Sequence, residues 1–254
     1  MQRRDTLARK TVDTLLFKAV LFDKDDTLID LAAFWAKPVR KTAEFLLHEL
    51  GVSQDEALRL ALLQAAGLQD GRLIPESPLA SGTNAQVWLA WKSVLKKRNI
   101  PIPLDDNVIP EVLEQSCIRF GEVVPRADFT GLLQELKRQH LPLGVATSDS
   151  FSSVMHCLDA LHLTGYFDAV LTADRVQHPK PHPQMAQKFS QLTGVPTEYI
   201  AMVGDTASDM LFAHNSGMMG VFYSPEDRPV ALPLGAAYCI ERPEELLQLS
   251  TLEA

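Results

Sequence analysis

A chain of 254 residues that is 46% hydrophobic carries enough apolar surface for one large domain or two modest ones. Its formal net charge of −8 and pI near 5.4 leave no electrostatic reason to bind nucleic acid or an anionic membrane surface, so neither is expected as a partner. Cys117, Cys157 and Cys239 are odd in number, far apart and in no Cys-x-x-Cys spacing, which argues against a disulfide framework and a cysteine-held zinc, and fits a reducing cytoplasm.

Residues 1 to about 15, with Arg3, Arg4, Arg9 and Lys10 interrupted by Asp5 and Asp13, read as a polar lead-in without a signal-length apolar stretch behind it. No later segment is apolar for long enough to cross a membrane. The run Phe17-Lys18-Ala19-Val20-Leu21-Phe22 reads as a buried strand, and Asp23-Lys24-Asp25-Asp26 follows it directly. Three carboxylates within four residues repel one another, so such a cluster at a strand end points to a compensating cation and to a site.

Residues 31 to 121 read as helices, with no strand among them. Pro38 suits a first helical turn ahead of Ala43, Leu46, Leu47 and Leu50, and Ser53 with Glu56 has the spacing of a capping box ahead of Leu58 to Leu63. Trp88, Trp91 and Leu95 continue the helical spacing over 84–98, where the two indoles are expected in a core. The segments Gly67 to Arg72 and Ser77 to Thr83 either reach a site or merely connect.

From about 122 the pattern alternates: helix 128–140, strand 143–146, helix 150–161, strand 168–172, helix 183–193, strand 200–203, helix 207–216, strand 219–223. The expected fold is therefore α/β, a Rossmann-like parallel sheet with helices on both faces. The expected division is a catalytic core of 1–30 and 122–254 and an inserted all-helical cap of 31–121.

In parallel sheets ligands bind beyond the carboxyl ends of the strands. Asp23 and Asp25 follow the first strand there, Thr147-Ser148-Asp149 the second, and Gly204-Asp205-Thr206-Ala207-Ser208-Asp209 the strand at 200–203, while Lys180 lies in the proline-rich loop 178–183. Asp23, Asp25, Asp205 and Asp209 together call for a hard, oxygen-seeking cation, naturally Mg²⁺; Asp205 and Asp209, four apart, would share one helical face. Asp23 suits a nucleophile toward phosphorus, and Asp25 a general acid and base whose pKa crowding carboxylates would raise. Thr147 and Ser148 offer donors for a phosphate oxygen at a helix start, and Lys180 neutralises charge on Asp23 and the phosphoryl group. His178 and His182 are four apart, but flanking prolines argue against a helical metal pair. Arg126 is read as a surface residue by default, with greeting an anionic substrate as its alternative role.

In this order, Asp-x-Asp-x-Thr at 23–27, the strand-end Thr147, Lys180 in Lys-Pro-x-Pro and Gly-Asp-Thr-x-x-Asp at 204–209 resemble the haloacid dehalogenase superfamily, over about 16–29 and 122–225. Within it the chain looks most like phosphoglycolate phosphatase-type hydrolases with a helical cap after the first motif. The resemblance implies that Asp23, the backbone carbonyl of Asp25 and Asp205 bind magnesium, with Asp209 supporting through water. Position 26, often glycine in the family, is Asp26, and position 148, often asparagine, is Ser148.

The expected function is Mg²⁺-dependent hydrolysis of a small phosphorylated, phosphoglycolate-like metabolite through an aspartyl-phosphate, in the cytoplasm, by a monomer or homodimer. A phosphomutase of the same superfamily and a non-hydrolytic phospho-acceptor regulator are the alternatives. A dehalogenase would have no use for Asp25.

Overall fold

The computed structural model describes residues 16–70, 72–74, 77–225 and 232–249, so the polar lead-in expected over 1–15 lies outside the described residues. The chain opens with β1 (Ala19–Phe22) and then runs through α1 (Leu31–Glu49), α2 (Glu56–Ala66), β2 (Leu68–Gln69), β3 (Arg72–Leu73), α3 (Pro78–Ser81), α4 (Asn84–Lys97) and α5 (Val108–Phe120). It continues with α6 (Thr130–Arg138), β4 (Leu143–Thr147), α7 (Phe151–Ala160), β5 (Ala169–Thr172), α8 (Gln184–Thr193) and β6 (Ile200–Gly204). The last elements are α9 (Ala207–Ser216), β7 (Met219–Tyr223), β8 (Ala236–Ile240) and α10 (Glu245–Leu249).

Six strands form one sheet in the order β5-β4-β1-β6-β7-β8, every pair parallel. Reversal of strand order at β1 and β6 creates the crevice in which such sheets bind ligands. The pleat of β1 sends Val20 and Phe22 into one core, with Leu132, Leu133 and Leu136 of α6 and Val154 and Leu158 of α7. Ala19 and Leu21 enter the opposite core with Met185 and Phe189 of α8 and Phe212 of α9. A strand buried on both faces must be apolar at every position, as Ala-Val-Leu-Phe is.

The insertion between β1 and α6 is predominantly helical and shares the first of these cores, through Phe34, Trp35, Leu46, Trp88 and Trp91. Trp91 is fully buried and donates its indole N–H to the Leu62 carbonyl at 2.8 Å, so both indoles belong to the core as expected.

Four local expectations are corrected. Pro38 lies inside α1, two turns from its start, because Asp30 caps the helix by accepting from Ala33 N at 2.8 Å. Helix α2 is capped by Asp55, which accepts from Leu58 N at 2.8 Å, instead of by the Ser53/Glu56 box. The insertion is not free of strands: β2 and β3 pair antiparallel across a turn in which Asp70 adopts φ 49°, and the Asp70-Gly71 dipeptide is the sequence signal for it. Finally, β8 escapes a periodicity reading because it is a half-exposed edge strand.

Candidate active site

The crevice fixes where the chemistry sits. Asp23 leaves β1 with its amide bonded to the Val203 carbonyl of β6 at 2.8 Å, which locks the start of the acidic run to the neighbouring strand. The chain then turns sharply at Asp26, whose φ of 54° is the left-handed conformation that aspartate tolerates better than most side chains. The Asp26 carboxylate accepts from Leu31 N at 3.0 Å and so ties the turn to the start of α1. Asp26 thus both adopts the turn conformation and anchors it.

Asp23, Asp205 and Asp209 converge, each offering an oxygen within 4.8 Å of the others. Lys180 reaches in from its loop and donates to Asp23 Oδ1 and Asp209 Oδ1, both at 2.6 Å. Asp205 precedes α9 instead of sharing a helical face with Asp209, and Thr27 Oγ1 donates to it at 3.3 Å. Thr206 is the N-cap of α9: its hydroxyl accepts from Asp209 N at 3.2 Å while Asp209 Oδ2 accepts from Thr206 N at 3.1 Å. Asp209 is therefore held by its own helix and by Lys180. It lies so close to the end of β6 that a Cβ on Gly204 would fall 2.5 Å from its Cγ, which explains the glycine at that position.

Burial pushes the Asp23 carboxyl up to about 7, with Asp209 and Asp25 adding to the rise and Lys180 opposing it. Burial disfavours the Lys180 ammonium, but Asp209 and Asp23 overcome that and hold its pKa above the ordinary lysine range. Three oxygen donors around a buried, incompletely neutralised negative charge fit a hard divalent cation. Among the described residues no histidine or cysteine joins this cluster to compete for a softer metal.

The Asp25 carboxylate is not part of that three-carboxylate cluster. Its Oδ1 lies 2.9 Å from Lys24 Nζ and accepts from the Trp35 indole N–H at 3.2 Å. Its carboxyl is raised, as expected, but chiefly by burial; the carboxylate that adds to the rise is Asp149, while Lys24 and Trp35 oppose it. Lys24, completely buried, also pairs with Asp149 Oδ2 at 2.7 Å and lies 4.5 Å from the centre of the Phe34 ring. Asp149 is fixed further by Ser153 Oγ at 2.6 Å and Ser150 N at 2.7 Å. Sequence reading passed over Lys24 and Trp35. A lysine between two carboxylates at a strand end was the available signal, whereas Trp35 gave none.

Asp23, Asp25, Thr147, Ser148, Lys180 and Asp209 line one cavity of about 30 Å³. The inserted segment closes its other side with Pro78, Leu79, Ala80, Gly82 and Thr83, so the stretch Ser77 to Thr83 does reach the site. Among the described residues, Gly67 to Asp70, Arg72 and Arg126 are not part of its lining. His178 and His182 lie with ring centres 4.6 Å apart, outside the acidic cluster.

No helix among the described residues is long and apolar enough to cross a membrane. A "Probable phosphatase IndB" of Dickeya dadantii is 39% identical over 129 residues, 48% of this chain and 56% of that protein. "Pyrophosphatase PpaX" of Bacillus cereus is 40% identical over 85 residues, 34% of this chain and 39% of that protein. The alignments thus span about half or less of these curated relatives. The structure of CbbY from Rhodobacter sphaeroides in complex with phosphate superposes with a TM-score of 0.67 at 20% identity, covering 93% of this chain and 100% of that one, which establishes a shared fold. The family model for haloacid dehalogenase-like hydrolases runs through residues 17–217, from β1 past the end of α9, and on that match the chain belongs to the haloacid dehalogenase-like hydrolase family.

Proposed function

We propose that the protein is a magnesium-dependent phosphatase that hydrolyses a small phosphorylated metabolite through an aspartyl-phosphate on Asp23. The observation that carries this reading is the position of Lys180, which bridges Asp23 and Asp209 at 2.6 Å within a crevice also lined by Thr147 and Ser148. That arrangement supports the reading, because a fixed positive charge lies beside the carboxylate proposed as nucleophile and the hydroxyls of Thr147 and Ser148 are in the same cavity, available to donate to phosphoryl oxygens.

A carboxylate oxygen of Asp23 attacks phosphorus, the ester P–O bond breaks, and the departing alkoxide takes its proton from the Asp25 carboxyl. Asp25, now a carboxylate, deprotonates a water; the hydroxide oxygen attacks phosphorus, the bond to Asp23 breaks, and phosphate leaves. Both groups return to their starting states. Burial favours the protonated form of Asp25 that the first step requires, and the neighbouring Lys24 favours the charged form that the second requires. Asp23, Asp205 and the Asp25 backbone carbonyl are the proposed magnesium ligands, with Asp209 in support; when bound, the cation supplies neutralising charge to the phosphoryl group. The inserted segment that walls one side of the cavity would restrict its access to bulk solvent while admitting the one water that the second step consumes.

The test is phosphate release from para-nitrophenyl phosphate. Wild type releases phosphate with Mg²⁺ and not with excess chelator, and Asp23→Asn lowers the rate by at least roughly 10³-fold, as loss of a covalent nucleophile does. Isomerisation of a sugar phosphate with little free phosphate would replace this reading by a phosphomutase. A stable phospho-Asp23 without turnover across a broad ester panel would replace it by a phospho-acceptor regulator.

A further inference from the structure

Beside the cavity of about 30 Å³ at the proposed catalytic site lies a second cavity of about 330 Å³, and the two share Thr83, Asn84, Ser148 and Asp149 as walls. The larger space is lined by Asn107, Glu111 and Glu114 at the start of α5 and by Ser150 and Asp174 on the core side. Among the described residues, Lys180 is the one basic side chain that lines either cavity, and it is already committed to Asp23 and Asp209.

Resting on the phosphatase reading above, we infer that the larger cavity receives the alcohol part of the substrate and that this part is an uncharged, hydroxyl-rich group of about sugar size, not a small carboxylic acid. Size is the first argument. A space of about 330 Å³ falls within the range of ligand pockets, which begins at about 300 Å³, and a two-carbon acid would leave most of it unfilled.

Charge is the second. A carboxylate carried by the substrate would face Glu111, Glu114 and Asp174 with no lining cation to answer it. The phosphoglycolate-like expectation therefore finds its phosphate end well provided for and its acid end opposed. Hydroxyl groups find what they need, because Glu and Asp oxygens accept hydrogen bonds and Asn84 and Asn107 both donate and accept. Glu114 has Ser150 and Ser152 as donors, which fixes its carboxylate in place at the cavity wall. Apolar Ala85, Pro110, Ala173 and Pro179 complete the lining and suit the carbon face of a ring.

The experiment compares ribose 5-phosphate with phosphoglycolate in Mg²⁺, with para-nitrophenyl phosphate as a separate readout of the chemical steps. Wild type is expected to show kcat/KM at least tenfold higher for ribose 5-phosphate. Glu111→Lys, with folding checked by its thermal melt, is expected to move the ratio of the two kcat/KM values at least tenfold toward phosphoglycolate, mainly through KM. Glu111→Gln serves the same comparison with a smaller shift should the lysine variant fail to fold. A wild-type preference for phosphoglycolate, or a ratio unmoved in a folded Glu111 variant, overturns the inference. Failure to turn over para-nitrophenyl phosphate sinks the phosphatase reading instead; calorimetric binding of the same two esters to Asp23→Asn then still decides whether the cavity prefers the neutral alcohol.

Discussion

Lys24 is the residue on which the acidic half of the site leans. It is completely buried, its ammonium paired with the Asp25 and Asp149 carboxylates at 2.9 and 2.7 Å and close to the Phe34 and Trp35 rings, and it stands in sequence between the proposed nucleophile and the proposed acid. Burial disfavours its ammonium, yet Asp149 and Asp25 outweigh that and raise its pKa well above the ordinary lysine value of 10.5. Removing one member of such a group leaves the others buried without compensation. Lys24→Met, which keeps length and apolar contact, is expected to lose about 3–5 kcal/mol of unfolding free energy in urea titration. A loss below about 1 kcal/mol would mean that the two carboxylates find other partners. That Asp23, Asp25, Thr147, Ser148, Lys180 and Asp209 would gather around one cavity, and Asp205 beside Asp23 and Asp209, was legible in sequence because each follows a recognisable apolar run or sits in a motif. Lys24 and Trp35 were not, since their roles depend on which faces of β1 and α1 meet.

Between elements, Asp168 does for the sheet edge what Lys24 does for the site. Its carboxylate accepts from Lys137 of α6 at 2.9 Å and from Leu143 N of β4 at 2.8 Å, while its own amide bonds the Leu143 carbonyl at 2.8 Å at the entrance to β5. Burial alone would raise this carboxyl, but the Lys137 and Leu143 hydrogen bonds win and hold it below 3.8. A carboxylate depressed in the folded state adds stability that is fully present above its unfolded pKa and is lost as pH falls through the folded one. Asp168→Asn is accordingly expected to be less stable than wild type at pH 7 by about 1 kcal/mol at most, as for a partly exposed ion pair, with the gap closing below about pH 4. Urea titrations of both proteins at pH 7 and pH 3 check it, and a gap that widens in acid would contradict it. At this scale the alternating core elements were readable from period and turn signals. The cap of α2, the position of Pro38 and the β2–β3 ribbon were not, because side-chain hydrogen bonds from Asp30 and Asp55 settled the helix starts and two-residue strands carry no period.

For the molecule as a whole, the acidic centre, the proposed metal site, is also an energetic focus. Three carboxylates lie within 4.8 Å and the buried Lys180 offsets part of their charge, so a divalent cation that binds the folded chain raises its stability by mass action. At a hundredfold excess over Kd the gain is about 2.7 kcal/mol, or roughly 5–10 °C in Tm for a chain of this size. Asp205→Asn is expected to lose most of that Mg²⁺-induced shift in a thermal melt, and an undiminished shift would place the cation elsewhere. The α/β architecture and the convergence of distant motifs were legible because a parallel sheet allows few topologies. The sixth strand and the second cavity were not, since the one is a half-exposed edge and the other is assembled from α4, α5 and the core loops.

Strand β1 also sets the order in which the protein can come together. It lies between β4 and β6, with Val20 beside Leu143 on one side and Ala201 on the other. During synthesis its Ala-Val-Leu-Phe backbone therefore leaves the ribosome with both edges unsatisfied, and remains so until more than a hundred further residues have followed. The helical insertion is made in that interval and can settle through local contacts, whereas Asp23, the proposed nucleophile, is translated early and acquires its surroundings only when Lys180 and then the strand at 200–204 arrive. A nascent chain stopped before that point exposes apolar strand surface that the completed sheet and its helices bury, the kind of surface through which incomplete chains aggregate.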